Sequence, residues 1–483
     1  MNLKKFPVFV LTVIIGLAFI TTACDNDDNE ITPEQHVNNW ILSNMQYWYY
    51  WNDEMNAEAD KNQTPDQYFS DLLVNQDRFS WIQDNYQELL NSLNGITKES
   101  GYEFVLYRES EANDNVISQI VYVKPNSPAS DADLHRGDVI THINGTHLTV
   151  SNYTELLGEI SENHTLTFHK YDFSTETFAD PVTINISAVE YTENPNHLSS
   201  IVDAGDRKVG YFVYNFFGNG PTSESEQYND EMDQIFAQFK SEGITDMVVD
   251  LRFNSGGNEK AANNLASLLG KGIGSDDIFS KRNFNDALTQ EIINDPELGP
   301  DYLVSKFSDK PENIGSQLTN SRIYFLTTAR TASASELVIN ALKPYMEVFL
   351  IGNTTYGKNV GSFSLYDDED PANTWGMQPI VLKMFNSQDQ SDYEEGFTPN
   401  VVDLDNSLLL RPLGDPEERL LSLAIAEITG NPAGGRIAAK NHINREIISH
   451  SLDLKRRSFR LVMDKNDPLT KGLREKINVN TWH

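Results

Sequence analysis

Ser333 stands in the run Thr331-Ala332-Ser333-Ala334-Ser335-Glu336, which reads as the entry to a helix over Leu337 to Leu342 that Pro344 ends. A serine hydroxyl is a poor nucleophile at neutral pH unless a base takes its proton, and at a helix N-terminus the exposed N–H groups favour developing negative charge. The base available in the same pattern is Lys358, in Thr355-Tyr356-Gly357-Lys358, 25 residues further on. A lysine accepts a proton only when neutral, so this reading requires a desolvated pocket around the amine. A third loop, Asp250-Leu251-Arg252-Phe253-Asn254-Ser255-Gly256-Gly257, supplies adjacent glycines, which let backbone amides approach a reacting oxygen closely. The chemistry expected is acyl transfer through Ser333, with the amides of Ala334 and of Gly256 or Gly257 as oxyanion donors.

Each box also has a plainer role. Ser333 and Glu336 have the spacing of a capping box, and Asp250 with Arg252 reads as a buried ion pair holding the glycine loop. Capping does not account for Lys358 and the paired glycines at matching strand ends. The ten histidines form no His-Glu-x-x-His pattern and Cys24 is the single cysteine, which disfavours a zinc site; no metal ligand and no cofactor are expected. No Gly-x-Ser-x-Gly occurs, although spacing alone leaves a Ser-His-Asp arrangement open.

The elements that must position these loops are short apolar strands. Met247 to Leu251, Ile323 to Leu326 and Val348 to Ile351 each precede one of the three boxes and alternate with helical patterns, which predicts a largely parallel sheet over residues 203–430. Loops after parallel strands emerge at one sheet edge, so the three boxes should converge. Upstream, Thr32-Pro33-Glu34-Gln35 is a helix start, and Val37, Trp40, Ile41, Met45 and Trp48 recur at helical spacing as the core of a small helical domain over 32–98. Thr64-Pro65-Asp66-Gln67 repeats the start signature. From Gly101 the period becomes that of strands, with 102–107 and 117–123 β-rich. Residues 431–483 carry Arg436, Lys440, Arg445, Lys455, Arg456, Arg457 and Arg460 among few acids, a basic tail read as a solvated extension, with an appendage touching the acidic body or anionic lipid as the alternative.

A chain of 483 residues exceeds one compact core, and its net charge of −34 repels nucleic acid. Lys4 and Lys5 followed by the apolar run Phe6 to Ile20 read as a secretory signal over 1–23, with an uncleaved anchor as the alternative. Thr21-Thr22-Ala23-Cys24 resembles a bacterial lipobox, with Thr21 where Leu is usual, implying lipidation of Cys24 and a membrane tether. The acids over 24–31 serve as a flexible tether or resemble the export tag of surface lipoproteins in Bacteroidetes. Location at the bacterial outer membrane, on its periplasmic side or at the cell surface, is the expectation.

Two resemblances organise the rest. Ser127-Pro128-Ala129 through Leu134-His135-Arg136-Gly137-Asp138-Val139-Ile140 to Ile143-Asn144-Gly145 resembles a PDZ domain, here over 99–192, with Asp133 where that family prefers glycine. The resemblance implies that Gly101, Tyr102, Glu103 and Phe104 form the loop whose amides hold the carboxylate of an extended C-terminal peptide. The Ser-Ala-Ser-Glu, Gly-Lys and Asp-Leu-Arg-x-Asn-x-Gly-Gly boxes, with Gly396-Phe397-Thr398-Pro399-Asn400, resemble the C-terminal processing (tail-specific, tricorn-like, S41) peptidases over about 101–425. That resemblance implies a multidomain α/β protein: a small helical domain, a PDZ-like β-rich domain and a crotonase-like catalytic domain. It also implies Ser333 as nucleophile, Lys358 as base, and protein or peptide substrates with free C-terminal tails. Many members carry Gln four residues after the lysine; Ser362 stands there, so only a dyad is expected, with Glu336 and Ser362 as supporting residues. The rival expectation is a catalytically weak or inactive peptide-binding surface lipoprotein on the same fold.

Overall fold

The computed structural model describes residues 31–431, apart from 173–174, 176, 223 and 407–408, together with 446–455, 460–462 and 469. The signal segment, Cys24 and the acidic residues 24–30 lie outside the described residues. Among the described residues no helix is long and apolar enough to cross a membrane.

Helix α1 (Pro33–Trp48) begins as its sequence dictates: the Thr32 hydroxyl accepts from Gln35 N–H, and the Gln35 side chain accepts from Thr32 N–H. Helix α2 (Pro65–Leu72) starts at the expected proline, but no side-chain bond caps it at Thr64. Val37, Ile41, Met45 and Trp48 are buried as the helical stripe predicts, yet not in a core of their own. They join the main core of the following sheet, with the Trp48 ring packed edge-on against Phe363 at 5.2 Å. A segment this short cannot bury enough apolar surface alone, so it uses its neighbour's.

The middle of the chain is an antiparallel sheet built from β1 (Tyr102–Arg108), β2 (Val116–Val123), β3 (Val139–Ile143), β4 (His164–His169) and β5 (Val182–Ile186), in the order β5-β4-β3-β2-β1, with α3 (Tyr153–Gly158) beside it. The turn before β3 has Asp133 at φ 59°, the left-handed position where glycine was expected. Gly101 at φ 85° opens β1, and a Cβ there would sit 2.2 Å from the Ser127 Cβ, so only glycine fits.

The third region contains β6 (Asn196–Ala204), β7 (Arg207–Tyr214), α4 (Gln227–Ser241), β8 (Asp246–Asp250), β9 (Gly256–Asn258), α5 (Glu259–Leu269), β10 (Ile278–Phe284), β11 (Val304–Lys306), β12 (Arg322–Thr327), α6 (Ala334–Leu342), β13 (Glu347–Gly352), β14 (Val360–Ser362), β15 (Ile380–Phe385), β16 (Val401–Val402) and α7 (Arg419–Thr429). One sheet runs β6-β7-β8-β12-β13-β16 and is parallel from β7 onward. Its strands are buried on both faces: Val249, Ile323 and Phe325 meet α4, α5 and α6, whereas Val248, Tyr324, Leu326 and Ile351 meet Leu420, Leu421 and Ala424 of α7. That double burial is why these runs read as continuously apolar.

Beyond Asn431 the described residues form β17 (Ile447–His450), α8 (Ser451–Lys455) and β18 (Arg460–Val462). They correct the expectation of a solvated tail. Strand β17 extends the middle sheet antiparallel to β1, with Ile447 opposite Tyr107 and His450 opposite Val105. Strand β18 lies parallel to both β9 and β14, giving a second mixed sheet in the order β9-β18-β14-β15-β10-β11.

Candidate active site

The three loops meet at the carboxyl edge of β8, β12 and β13, as parallel topology requires. Side-chain bonds to backbone knit them together. The Thr331 hydroxyl donates to Leu251 O at 2.8 Å, and the Thr328 hydroxyl donates to Arg252 O at 2.6 Å. Asn254 O accepts from Ala332 N–H at 3.2 Å and from the Ser335 hydroxyl at 3.1 Å. The glycine loop and the serine turn are therefore one unit.

Ser333 sits at φ 60°, ψ −112°, a conformation that strains an L-residue by about 1–3 kcal/mol and that clusters at functional sites. Its hydroxyl is buried and has no hydrogen-bond partner among the described residues. Only the Glu336 half of the capping box is made with good geometry, Glu336 Oε2 accepting from Ser333 N–H at 2.8 Å. The plain capping role thus leaves the hydroxyl unexplained.

Glu336 is the hinge of the arrangement, and its reach is what spacing could not reveal. The same Oε2 accepts from Lys358 N–H at 2.8 Å, while Oε1 accepts from Gly357 N–H at 2.7 Å and from the Thr355 hydroxyl at 2.6 Å. Two backbone nitrogens 25 residues apart in sequence share one oxygen, so the serine turn and the lysine loop are in direct register. Burial pushes the Glu336 carboxyl above its ordinary value of 4.5, against four hydrogen bonds that pull it down. As pH falls through that raised value the carboxyl takes a proton, and an oxygen that accepted from two amides becomes a donor. Activity is expected to fall on the acid side above the usual glutamate range. Glu336→Gln, which cannot accept on both sides, is expected to lower kcat by about 10²-fold through misplacement, read from steady-state rates at neutral pH.

Lys358 is 2% exposed and Ser333 1% exposed. The lysine amine lies 5.2 Å from the centre of the Phe79 ring. The neighbouring Arg78 guanidinium donates to Gly357 O at 3.1 Å and to Glu394 O at 3.0 Å, clamping the lysine loop. Phe79 and Arg78 belong to the N-terminal helical region, and sequence reading missed both because neither lies near a chemical box. The Gly396 turn takes part as well: Phe397 N–H donates to the Thr355 hydroxyl oxygen at 2.7 Å. Ser362 is buried in β14, four residues beyond Lys358. The expected Ser333–Lys358 hydrogen bond is not made in this conformer, since the serine hydroxyl has no partner. Catalytic bonds of this kind commonly tighten only with substrate present.

The oxyanion donors resolve unequally. Gly256 N–H donates to Asn254 Oδ1 at 2.9 Å, which removes it as a donor and corrects the pairing of Gly256 with Gly257 as equals. Gly256 O accepts from Phe217 N–H at 2.9 Å, and Asn258 N–H donates to Phe217 O at 2.8 Å. Successive peptide groups of a strand face opposite sides, so the Gly257 N–H points away from Phe217. A Cβ on Gly257 would lie 2.1 Å from Phe217 O, the close approach that glycine alone permits. Ala334 is the first residue of α6, where helix amides have no intrahelical acceptor.

Behind the glycine loop, Arg252 is fully buried and donates to Asp250, to Glu418 at 2.7 and 3.0 Å, and to Asp405 at 2.8 Å. Arg136, from the turn before β3, reaches Glu418 at 3.2 Å. In the middle region, the expected loop from Gly101 to Phe104 is corrected: only Gly101 lies outside a strand, because Tyr102 to Phe104 begin β1, and buried Lys124 anchors this start, its amine meeting Glu99, Glu193 at 2.8 Å and Glu103 at 3.1 Å.

Comparison with known proteins accords with this architecture. Residues 36–81 match the peptidase S41 N-terminal domain, residues 119–168 a PDZ domain, and residues 208–402 peptidase family S41. A carboxyl-terminal-processing protease of Picosynechococcus is 26% identical over 274 residues, 55% of this chain and 56% of that protein. The chloroplastic C-terminal processing peptidase of Tetradesmus obliquus is 25% identical over 245 residues, 49% of this chain and 47% of that protein. The chain thus spans about half the length of these curated relatives. A crystal structure of a Bacteroides fragilis NCTC 9343 protein assigned to the S41 proteases is 27% identical, covers 81% of this chain and 97% of its own, and superposes with a TM-score of 0.67. The chain carries, in order, the N-terminal, PDZ and catalytic domains of peptidase family S41.

Proposed function

We propose that the protein is a serine endopeptidase with a Ser333–Lys358 dyad, which takes polypeptides by their free C-terminal tails through its PDZ domain. The observation that supports this reading is the shared Glu336 carboxylate, which accepts from the backbone N–H of both Ser333 and Lys358, two buried residues of which the serine is strained and its hydroxyl has no hydrogen-bond partner among the described residues. Ser333 Oγ attacks the scissile carbonyl carbon while Lys358 takes its proton. The oxyanion forms against the amides of Ala334 and Gly257. Collapse breaks the C–N bond, the leaving amine takes the proton from Lys358, and water attacks the acyl-enzyme with the same base. Lipidation at Cys24 would hold the enzyme at a bacterial membrane.

The test is labelling of the purified protein with a fluorophosphonate. Stoichiometric adduct at Ser333, lost in Ser333→Ala, is expected. An unreactive Ser333 in a protein that still binds C-terminal peptides would turn the reading to a binding protein.

A further inference from the structure

The described part of the tail touches each groove that the proposed function needs. Strand β17 adds to the open edge of β1 and runs antiparallel to it, with His450 opposite Val105, toward the Gly101 start of β1. That is the direction in which a PDZ ligand lies, its C-terminal end toward that start. Where such a ligand would present its carboxylate, the Ser451 hydroxyl oxygen accepts from Phe104 N–H at 2.8 Å, and the hydroxyl donates to Glu103. A cavity of about 520 Å³ opens between this edge and α3, lined by Tyr102, Phe104, Tyr153 and Leu157, with Ser449 and Ser451 of the tail in its wall.

The same segment then reaches the catalytic loops. Asp453 pairs with both terminal nitrogens of Arg330, three residues before the serine. Strand β18 places Arg460 to Val462 beside Gly256 to Asn258, and Val462 beside Ser362. The Gly257 amide, which faces away from Phe217, therefore faces β18. Without β18, the edges of β9 and β14 would bound a slot two strand spacings wide, about 9–10 Å, which one extended peptide fills by pairing on both sides.

We infer that residues 446–455 and 460–462 are a tethered occupant of the PDZ groove and of the catalytic slot, holding both closed until an incoming polypeptide tail displaces them. The inference deepens the peptidase reading and rests on it for its catalytic consequence. A segment joined to the chain competes at an effective concentration in the millimolar range, so a free peptide meets a raised apparent dissociation constant. The near-complete burial of Ser333 and Lys358 accords with a closed state.

The test uses Ser449→Pro in the full chain, because proline removes an N–H from β17 and fixes φ. The probe is a fluorescent peptide of residues 446–450 ending in a free carboxylate. Ser449→Pro is expected to bind it at least tenfold more tightly than wild type, in a Ser333→Ala background as well, and to raise kcat/KM on an unstructured protein substrate by a similar factor. Unchanged probe affinity in a folded Ser449→Pro protein overturns the inference. Because Leu469 is buried in the main core, truncation after Asn431 is the harsher variant and serves as the second. Amide exchange on wild type guards against misfolding of either variant: residues 447–450 and 460–462 should be protected and should lose protection with saturating probe. Absent or probe-insensitive protection also overturns the inference. Tighter probe binding with no cleavage by any variant would sink the peptidase reading and leave the tethered occupant standing. Cleavage by wild type with no effect of the tail variants would do the reverse.

Discussion

Lys358→Met is expected to lower kcat on an unstructured protein substrate by roughly 10²- to 10⁴-fold, the range ascribed to a positioned general base, while leaving thermal unfolding close to wild type. Methionine fills the same dry space beside Phe79 without a basic nitrogen, so a structural role for the amine would appear as lost stability and a basic role as lost turnover. Ser333→Ala should reduce cleavage to background with the fold intact, since its hydroxyl makes no hydrogen bond among the described residues whose loss would be felt. Because residues in one catalytic unit are not additive, the double variant should be no slower than Ser333→Ala alone. Cleavage at wild-type rates by either single variant would end the dyad assignment.

Arg252→Met carries the largest expected effect on stability. The guanidinium is fully buried among Asp250, Asp405 and Glu418, and removing it leaves three carboxylates without their common partner. Breaking a buried pair in this way costs about 3–5 kcal/mol, enough to lower the Tm by about 10 °C or more in a domain of this size. The pH dependence gives a second reading. Against desolvation by burial, Arg252 pulls the Glu418 carboxyl from 4.5 down to about 2, so its contribution to stability is present above 4.5 and is lost as pH falls toward 2. The variant has no such contribution to lose, so its deficit against wild type should be greatest at neutral pH and shrink in acid. Calorimetry at pH 7 and near pH 3, inside the window between 4.5 and about 2, checks this; an equal deficit at both would show that lost packing, and not charge, is responsible. Since Arg136 also reaches Glu418, the variant should loosen the PDZ domain against the catalytic sheet as well.

Much of the site was legible because its parts are local. The helix start at Thr32, the left-handed turn at Asp133, the apolar runs of β8, β12 and β13 and the boxes that follow them are each decided by a few neighbouring residues. Parallel topology then brings strand-end loops to one edge whatever the details of packing. Shared structure was less legible. The aromatic stripe of α1 reads the same whether its core is its own or the catalytic domain's, because periodicity records which face is buried and not against what.

By itself the sequence determined the order of domains, the serine, the lysine and the glycine loop, since residue type and spacing within one loop are properties of the chain. Only the tertiary structure decided that one carboxylate, Glu336, joins the serine turn to the lysine loop, that the Gly256 amide is committed to Asn254 while the Gly257 amide turns toward β18, and that Arg78 and Phe79 close over the lysine. It also decided that β17 and β18, near the end of the chain, pair with β1 and with β9 and β14. The reason is physical. Hydrogen bonds between residues far apart in sequence depend on which edges and amides the packed fold leaves unpaired, and no local pattern encodes that remainder.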